Sequence, residues 1–346
     1  MRLTVLSVAY PLAAVSADAV GGAEQVLSML DVGLVEAGHR SIVVACAGSR
    51  VRGELVAVPL PPGPLETAHR CAQQRFREAI EAVLRARDVD LVHMHGIDFD
   101  AYAPRGAPTL ATLHLPPDWY APNALAPRER FWFHGVSATQ DAACPALPGK
   151  LPPIANGIPV DALAAHHAKR GFALMLCRLC PEKGVHLALE AAHRADAALL
   201  IGGRAYGYAA HQDYVAAHVA PRLDARRRLI GPVDFTRKRR LLAAARCLLV
   251  PSLAAETSSL VAMEAAAAGT PVIAFAAGAL PEIVEHGRTG FIVRDAADMA
   301  DAMRHVGDID PAVCRNAARA RFSAGRMTRD YLALYTRLAA EQAQAA

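Results

Sequence analysis

The chain has 346 residues, 53% of them hydrophobic and 20% charged, a globular composition with room for two domains rather than one core. A formal net charge of +4 is too mild to argue for nucleic acid as a partner. No apolar run reaches the roughly 18 residues of a membrane span, and seven cysteines, an odd number scattered through apolar segments, point to reduced thiols in a cytoplasmic protein rather than to a disulfide framework.

The opening MRLTVLSVAYPL has the outline of a short signal peptide, but no clear cleavage region follows, and it reads as a first buried strand, Leu3 to Tyr10. A helical pattern from about Ala23 to Ala37 ends at Gly38, and a strand follows from Ser41 to Ala45. Residues 66–87 read as an Arg- and Glu-rich helix, with strands expected at Asp90 to Met94 and Thr109 to Leu113. The segment 151-LPPIANGIPVD-161 is dense in Pro and Gly and looks like a join. A second series begins after it: strand Phe172 to Cys177, helix 184–195, strand Ala198 to Ile201, a long polar section, then strands at Leu248 to Val250, Pro271 to Phe275 and Phe291 to Val293. Strands alternating with helices imply parallel sheets covered on both faces. The expected fold class is therefore α/β, with two doubly wound Rossmann-like domains facing each other across a cleft and ligands held at the carboxyl ends of the strands.

The chemistry concentrates in 256-ETSSLVAMEAAAAGTPVIAF-275. Thr257, Ser258 and Ser259 are N-cap residue types, so a helix should start near 258, with Glu256 just before it and Glu264 in its second turn. Both carboxylates would then reach a helix mouth that offers free N–H groups at about 259–261 and the positive end of the dipole. Such a mouth suits a phosphate on the N–H groups and sugar hydroxyls on the carboxylates. The blander alternative is a capping carboxylate and a solvated helix residue. Support for the former comes from 178-RLCPEKG-184, which sets Arg178 and Lys183 at a strand end before a helix, poised for a diphosphate. The alternative there is a surface pair with Glu182 and Glu190.

With those residues in place the chain resembles family 4 of the retaining, nucleotide-sugar-dependent glycosyltransferases. The family's Glu-x7-Glu motif appears as Glu256 to Glu264, and its G-R-L-x-x-x-K-G as CRLCPEKG with Cys177 in place of the first glycine. Further matches are 21-GGAE-24, 91-LVHMHG-96, 112-TLH-114, 155-ANGIP-159, 278-GALPEIVEHGRTGFIV-293 and 322-FSAGRMTRDYLALY-335. The resemblance implies a GT-B fold, with an acceptor-side domain over residues 1–160 and a donor domain over 161–327. A C-terminal helix of about 328–346 would cross back to the first domain. It implies a hexosyltransferase in which Arg178 and Lys183 bind the donor diphosphate, Glu264 holds the ribose and Glu256 contacts the donor sugar. Ser259, Leu260 and Val261 would cap the phosphate, Gly21 and Gly22 would let the first loop approach the donor, and His114 would face the donor sugar across the cleft. UDP-sugars are favoured over GDP-sugars on family prevalence alone. The acceptor would be a saccharide, lipid-linked or small-molecule hydroxyl, in polysaccharide or glycolipid biosynthesis. The family often has Glu-Pro-Phe-Gly where this chain has Glu-Thr-Ser-Ser, a departure that bears on which sugar is used. No metal or other cofactor is expected. The competing readings are a nucleotide-sugar binder without turnover and a phosphorylase-like enzyme.

Other signals carry less. Asp88–Asp90 and Asp308–Asp310 have D-x-D spacing, but the first pair precedes a strand, at the wrong end of the sheet, and the second lies in a loop-like stretch. Cys177 and Cys180 form a C-x-x-C with no second pair to complete a zinc site. His93 and His95 are expected on opposite faces of their strand, which argues against a shared metal. His95, Asp118, Trp119 and Tyr120 are candidates for acceptor contact, with loop packing as the alternative. Gly203 and Arg204, in 202-GGRAYGYAAHQDY-214, should pass near the nucleotide. The basic run 221-PRLDARRRLIGPVDFTRKRR-240 suggests peripheral contact with the inner membrane face or simply a solvated basic surface.

Overall fold

The computed structural model describes residues 2–165 and 167–345. Met1 and Ala346, the expected outer limits of the first domain and of the last helix, lie outside them. The chain forms two compact units, residues 1–157 with 324–346, and Ile158–Ser323.

The first unit holds a sheet of seven strands: β1 (Thr4–Val8), β2 (Arg40–Cys46), β3 (Glu54–Val58), β4 (Leu91–Met94), β5 (Thr109–Thr112), β6 (Phe131–His134) and β7 (Lys150–Leu151). Their order is β3-β2-β1-β4-β5-β6-β7, and every pairing is parallel. Helices α1 (Gly22–Glu36), α2 (Leu65–Ala86) and α3 (Ala138–Ala143) belong to this unit. The central strands read as near-continuous apolar runs because both faces are covered. In α2, Ala72, Phe76, Ile80 and Val83 recur at helical spacing and are buried, while its Arg and Glu residues face solvent.

The second unit holds β8 (Phe172–Leu176), β9 (Ala198–Gly202), β10 (Arg227–Gly231), β11 (Cys247–Val250), β12 (Val272–Phe275) and β13 (Gly290–Val293), in the order β10-β9-β8-β11-β12-β13, again all parallel. Its helices are α4 (Val160–Leu163), α5 (Val185–Arg194), α6 (Ala209–Tyr214), α7 (Phe235–Ala244), α8 (Leu260–Ala267), α9 (Leu280–Ile283), α10 (Ala296–His305) and α11 (Pro311–Arg321). One face of the sheet packs on α8, where Ala262, Met263, Ala265, Ala266 and Ala267 are all buried. The other face packs on α5 and α10, through residues such as Val185, Leu189, Met299 and Met303. The alanine-rich sequence of α8 is thus a close-packed core helix. Its one ionisable residue, Glu264, is buried with the rest.

The last helix, α12 (Ala324–Ala345), returns to the first unit. Tyr331 and Tyr335 plug it into the sheet, both fully buried. Both units are Rossmann-like α/β folds in which strand order reverses at one point: between β1 and β4 in the first unit, between β8 and β11 in the second. Loops leaving neighbouring strands diverge at such a point and open a crevice at the carboxyl end of the sheet.

Candidate functional site

The crevice of the second unit lies beyond Leu176 and Val250, the last residues of β8 and β11. After β8 the chain runs through Arg178 to a 3₁₀ turn at Pro181–Lys183. After β11 it runs through Ser252 to Glu256 and the mouth of α8. Backbone hydrogen bonds tie the two loops together, since Leu253 N–H donates to the Glu182 carbonyl at 2.8 Å.

Two carboxylate–lysine pairs stand at this edge. Lys183 Nζ lies 2.5 Å from Glu256 Oε1, and the Ser252 hydroxyl donates to the same oxygen at 2.5 Å. This decides against the surface-pair reading of Lys183; Glu190 instead pairs with Arg194 on its own helix. Lys238 Nζ lies 2.5 Å from Glu264 Oε1, with only 13% and 4% of the two side chains exposed. Burial raises the Glu264 carboxyl above its ordinary value, and the Lys238 ammonium beside it partly opposes that rise.

Lys238 was missed at the sequence level. It sits in α7, inside the basic run 221–240, which the fold breaks up. Arg226 and Arg227 pair with Asp196, Arg227 also with Asp224, and Asp234 caps α7 by accepting from Arg237 N–H. Only the spacing of Lys238 one turn into a helix after a capping Asp hinted at its inward turn.

The helix starts at Leu260, two residues later than expected, with Ser259 as the N-cap residue in extended conformation and no side-chain cap. The N–H groups of Leu260, Val261 and Ala262 therefore have no partner within the helix. The Ser258 hydroxyl is shut off from solvent without a hydrogen-bond partner among the described residues. These are unspent donors at the positive end of a helix; Arg178, on the loop after β8, is exposed and forms no ion pair among the described residues.

Two glycines keep the crevice narrow. Gly278 has φ of 58°, and a Cβ there would lie 2.2 Å from the Glu256 carbonyl oxygen, so the loop after β12 rests directly on the backbone of Glu256. Gly203, at the end of β9, has φ of 138°, and a Cβ would lie 1.9 Å from the Cys177 carbonyl oxygen. Arg204 beside it is exposed, with its guanidinium 5.5 Å from the Tyr206 ring centre.

The corresponding edge of the first unit is built from histidines. His93 and His95, expected on opposite faces, share one: residues two apart on a strand point the same way, and their ring centres are 4.0 Å apart. His95 Nδ1 is 3.0 Å from His114 Nε2, and the two rings stack at 5.3 Å. His95 Nε2 is buried and unpartnered among the described residues. His93 bridges the Tyr335 hydroxyl at 2.6 Å and the Thr112 hydroxyl at 2.7 Å. Thr112 in turn meets His134 at 2.9 Å and the Tyr331 hydroxyl at 3.1 Å. This network ties α12 to β4, β5 and β6. Burial pushes all four imidazoles down, His114 to about 3 and His134 to about 4, so they are neutral at physiological pH.

The remaining expected contacts in this unit separate. Gly21 is the N-cap residue of α1 and Gly22 its first residue. The Glu24 carboxylate folds back over Gly21, where a Cβ would meet it at 1.8 Å. Asp118 and Trp119 are exposed on a short turn, Trp119 by 46%. Tyr120 is buried and its hydroxyl accepts from Leu115 N–H at 3.3 Å, so it packs the loop instead of offering a stacking face. Asp90 accepts from Thr4 N–H at 2.7 Å, and Asp310 caps α11, so neither D-x-D spacing marks a metal site.

Comparison with known proteins supplies the context. A family model described as "Glycosyl transferases group 1" matches residues 171–308, and one described as "Glycosyltransferase Family 4" matches residues 20–143. Glycogen synthase of Mycobacterium tuberculosis (strain H37Rv) is 37% identical over 190 residues, 51% of this chain and 44% of that protein. The D-inositol 3-phosphate glycosyltransferase of Nocardioides sp. is 41% identical over 121 residues, 33% of this chain and 26% of that protein. The chain thus matches less than half the length of these relatives. Among solved structures, AviGT4, a glycosyltransferase involved in avilamycin A biosynthesis, is 26% identical with a TM-score of 0.74, covering 98% of both chains. Sucrose-phosphate synthase of Thermosynechococcus elongatus has a TM-score of 0.79 at 20% identity, covering 98% of this chain and 100% of that one. Anabaena HepE in complex with UDP-glucose has a TM-score of 0.73 at 18% identity, covering 100% of both.

Proposed function

Because the chain belongs to family 4 of the glycosyltransferases, we propose that it moves a sugar from a nucleoside diphosphate sugar to an acceptor hydroxyl with retention of configuration, and that the second unit is its donor side. The observation that carries this reading is the mouth of α8, where two lysine–glutamate pairs stand beside unspent N–H donors, with exposed Arg178 on the neighbouring loop after β8. In sugar transfer, positive charge develops on the sugar carbon and negative charge on the departing diphosphate. Arg178, Lys183 and the N–H groups of Leu260 and Val261 stabilise the diphosphate as it leaves, and the proposed mechanism uses no bridging metal ion. Glu264, held by Lys238, receives the ribose hydroxyls. Glu256, held by Lys183 and Ser252, receives hydroxyls of the donor sugar. Ser259 and Ser258 lie at the phosphate, and Gly203 and Arg204 border the nucleotide.

No carboxylate serves as nucleophile in this mechanism. The leaving phosphate takes the acceptor proton, which keeps the reaction on one face of the sugar. The acceptor side is the first unit, with neutral His114, held by His95, as a hydrogen-bonding group and Asp118 and Trp119 on the adjoining loop. The acceptor class is a saccharide, lipid-linked or small-molecule hydroxyl, and a lipid-linked one would bring the protein to a membrane surface. UDP is the favoured base; HepE, of the same fold, is described with UDP-glucose.

The test is a thermal-shift screen against UDP, GDP, ADP and their sugars, with and without added Mg²⁺, followed by NMR of the product anomer. A donor at about 100 times its dissociation constant stabilises by about 2.7 kcal/mol. One base should give that shift without Mg²⁺, and Arg178→Ala should lose it. No shift with any nucleotide overturns the donor assignment. A shift without turnover on any acceptor leaves a binder, and an inverted product overturns retention.

A further inference from the structure

The loop after β8 carries a second constellation, distinct from the phosphate-facing side chains. Cys180, Glu182 and His211 converge so that the thiol sulfur, a carboxylate oxygen and a ring nitrogen all lie within 4.8 Å of one another, and among the described residues this is the one such group of three His, Cys, Asp or Glu ligands. Cys180 is fully buried; its thiol donates to the Arg178 carbonyl at 3.7 Å and lies beside the Glu182 carboxylate. His211 Nδ1 is closed to solvent and has no hydrogen-bond partner among the described residues. A buried imidazole nitrogen with no partner costs free energy unless something occupies it.

We infer that Cys180, Glu182 and His211 bind a divalent cation of the zinc class, with the fourth coordination position open to water. Thiolate, imidazole and carboxylate make up a mixed S, N, O donor set that suits zinc or cobalt and disfavours magnesium and calcium, which take oxygen ligands. On binding, the sulfur–metal bond replaces the S–H bond, and the proton leaves to solvent with no change of oxidation state. The sequence offered Cys177 as the partner of Cys180; the fold replaces it with Glu182, on the same short turn, and with His211 from α6.

The ligands are already held in place. The Glu182 carbonyl accepts from Leu253 N–H at 2.8 Å, with the Ser252 hydroxyl oxygen 3.3 Å away. Leu179 N–H donates to the Arg204 carbonyl at 3.0 Å, joining the β8 and β9 loops. The Tyr214 hydroxyl, on α6, meets His186 Nδ1 at 2.8 Å and anchors the helix that carries His211. Closing four-coordinate geometry therefore needs only small side-chain movements. A bound cation would pin α6 to the loop that carries Arg178 and Lys183. The inference stands whether or not the chain transfers sugar.

The probe is Co²⁺, titrated into the full-length protein after removal of adventitious metal under reducing conditions. The expected result is a thiolate-to-cobalt charge-transfer band, with visible d–d bands of tetrahedral intensity that saturate at one equivalent. Cys180→Ser should remove the charge-transfer band and His211→Ala should collapse the tetrahedral bands, while Cys177→Ala leaves both. His211 lies on a short surface helix, so His211→Ala tests the site without disturbing the core, and far-UV circular dichroism checks its fold. In parallel, Zn²⁺ should raise the melting temperature of the parent chain but not of His211→Ala. Absence of the charge-transfer band, or its survival in Cys180→Ser, overturns the assignment, as does a Zn²⁺ shift that persists in His211→Ala.

Discussion

Replacing Lys238 by methionine keeps an aliphatic side chain but removes the ammonium, which lies 2.5 Å from Glu264 and 5.5 Å from the Phe235 ring centre. Glu264 is then a buried carboxylate without its cation. Removing one partner of a buried pair costs about 3–5 kcal/mol when the remaining charge stays. The charge need not stay, because Glu264 can escape by taking a proton. Its folded-state value already lies above the ordinary carboxylate value through burial, and losing Lys238 raises it further. A group whose folded value is raised weakens the fold as pH climbs from its unfolded value through its folded one. The destabilisation of Lys238→Met should therefore be small near pH 4.5. It should grow with pH by up to about 1.4 kcal/mol per unit and level off above the variant's own value. A plateau near 3 kcal/mol corresponds to a fall in melting temperature of roughly 6–12 °C for a domain of this size. Differential scanning calorimetry of both proteins across that range measures it. The double variant Lys238→Met/Glu264→Gln should abolish the pH dependence. A destabilisation that is flat with pH, or one unchanged in the double variant, would refute the reasoning and reduce Lys238 to a packing residue.

Arg178→Ala and Lys183→Ala should each lower kcat/KM for the nucleotide sugar by about 10²–10³-fold, the cost of removing one preorganised charge from a leaving group. Arg178→Ala should leave the melting temperature unchanged because the side chain is exposed, so steady-state rates and calorimetry together separate catalysis from folding. Gly203→Ala should destabilise the second unit by roughly 1–3 kcal/mol through its left-handed φ and the Cys177 carbonyl. Gly207→Ala, with open space around it, is the matched control; equal melting temperatures for the two would contradict the geometry. His93, His95, His114 and His134 have folded values below their ordinary ones, so the first unit should lose stability as pH falls from about 6.5 toward 4, where the unfolded chain binds protons that the folded chain refuses. Ring-nitrogen NMR should show neutral imidazoles down to about pH 5, and an imidazolium signal from His114 at neutral pH would refute this.

Most of the fold was legible because local rules and tertiary context agree along the central strands. IVVA and CLLV are apolar throughout and LVHM is interrupted only by His93, as suits strands buried on both faces, and CLLV leads into a helical pattern. The strands that escaped notice are those whose residues do not announce burial: β3 and the two-residue β7 at the edges of their sheet, β6 with its Trp and His, and β10, which is RRLIG inside a basic run. An edge strand is specified by the neighbour it pairs with, and that neighbour is distant in sequence.

The same division runs through the candidate site. The Glu256–Glu264 spacing, the three hydroxyl residues before an apolar helix, and Arg178 with Lys183 follow from capping and helix geometry, which act over a few residues. Those residues were therefore readable in order. What they touch was not. That Lys183 pairs with Glu256, that Lys238 turns inward to Glu264, and that His93 meets Tyr335 depends on contacts spanning 73, 26 and 242 positions. Hydrophobic pattern and capping chemistry settle which segments become strands and helices. The partner of a buried charge is decided only when those elements pack, because the energy that selects it, relief of desolvation by one specific neighbour, does not exist until the chain has folded.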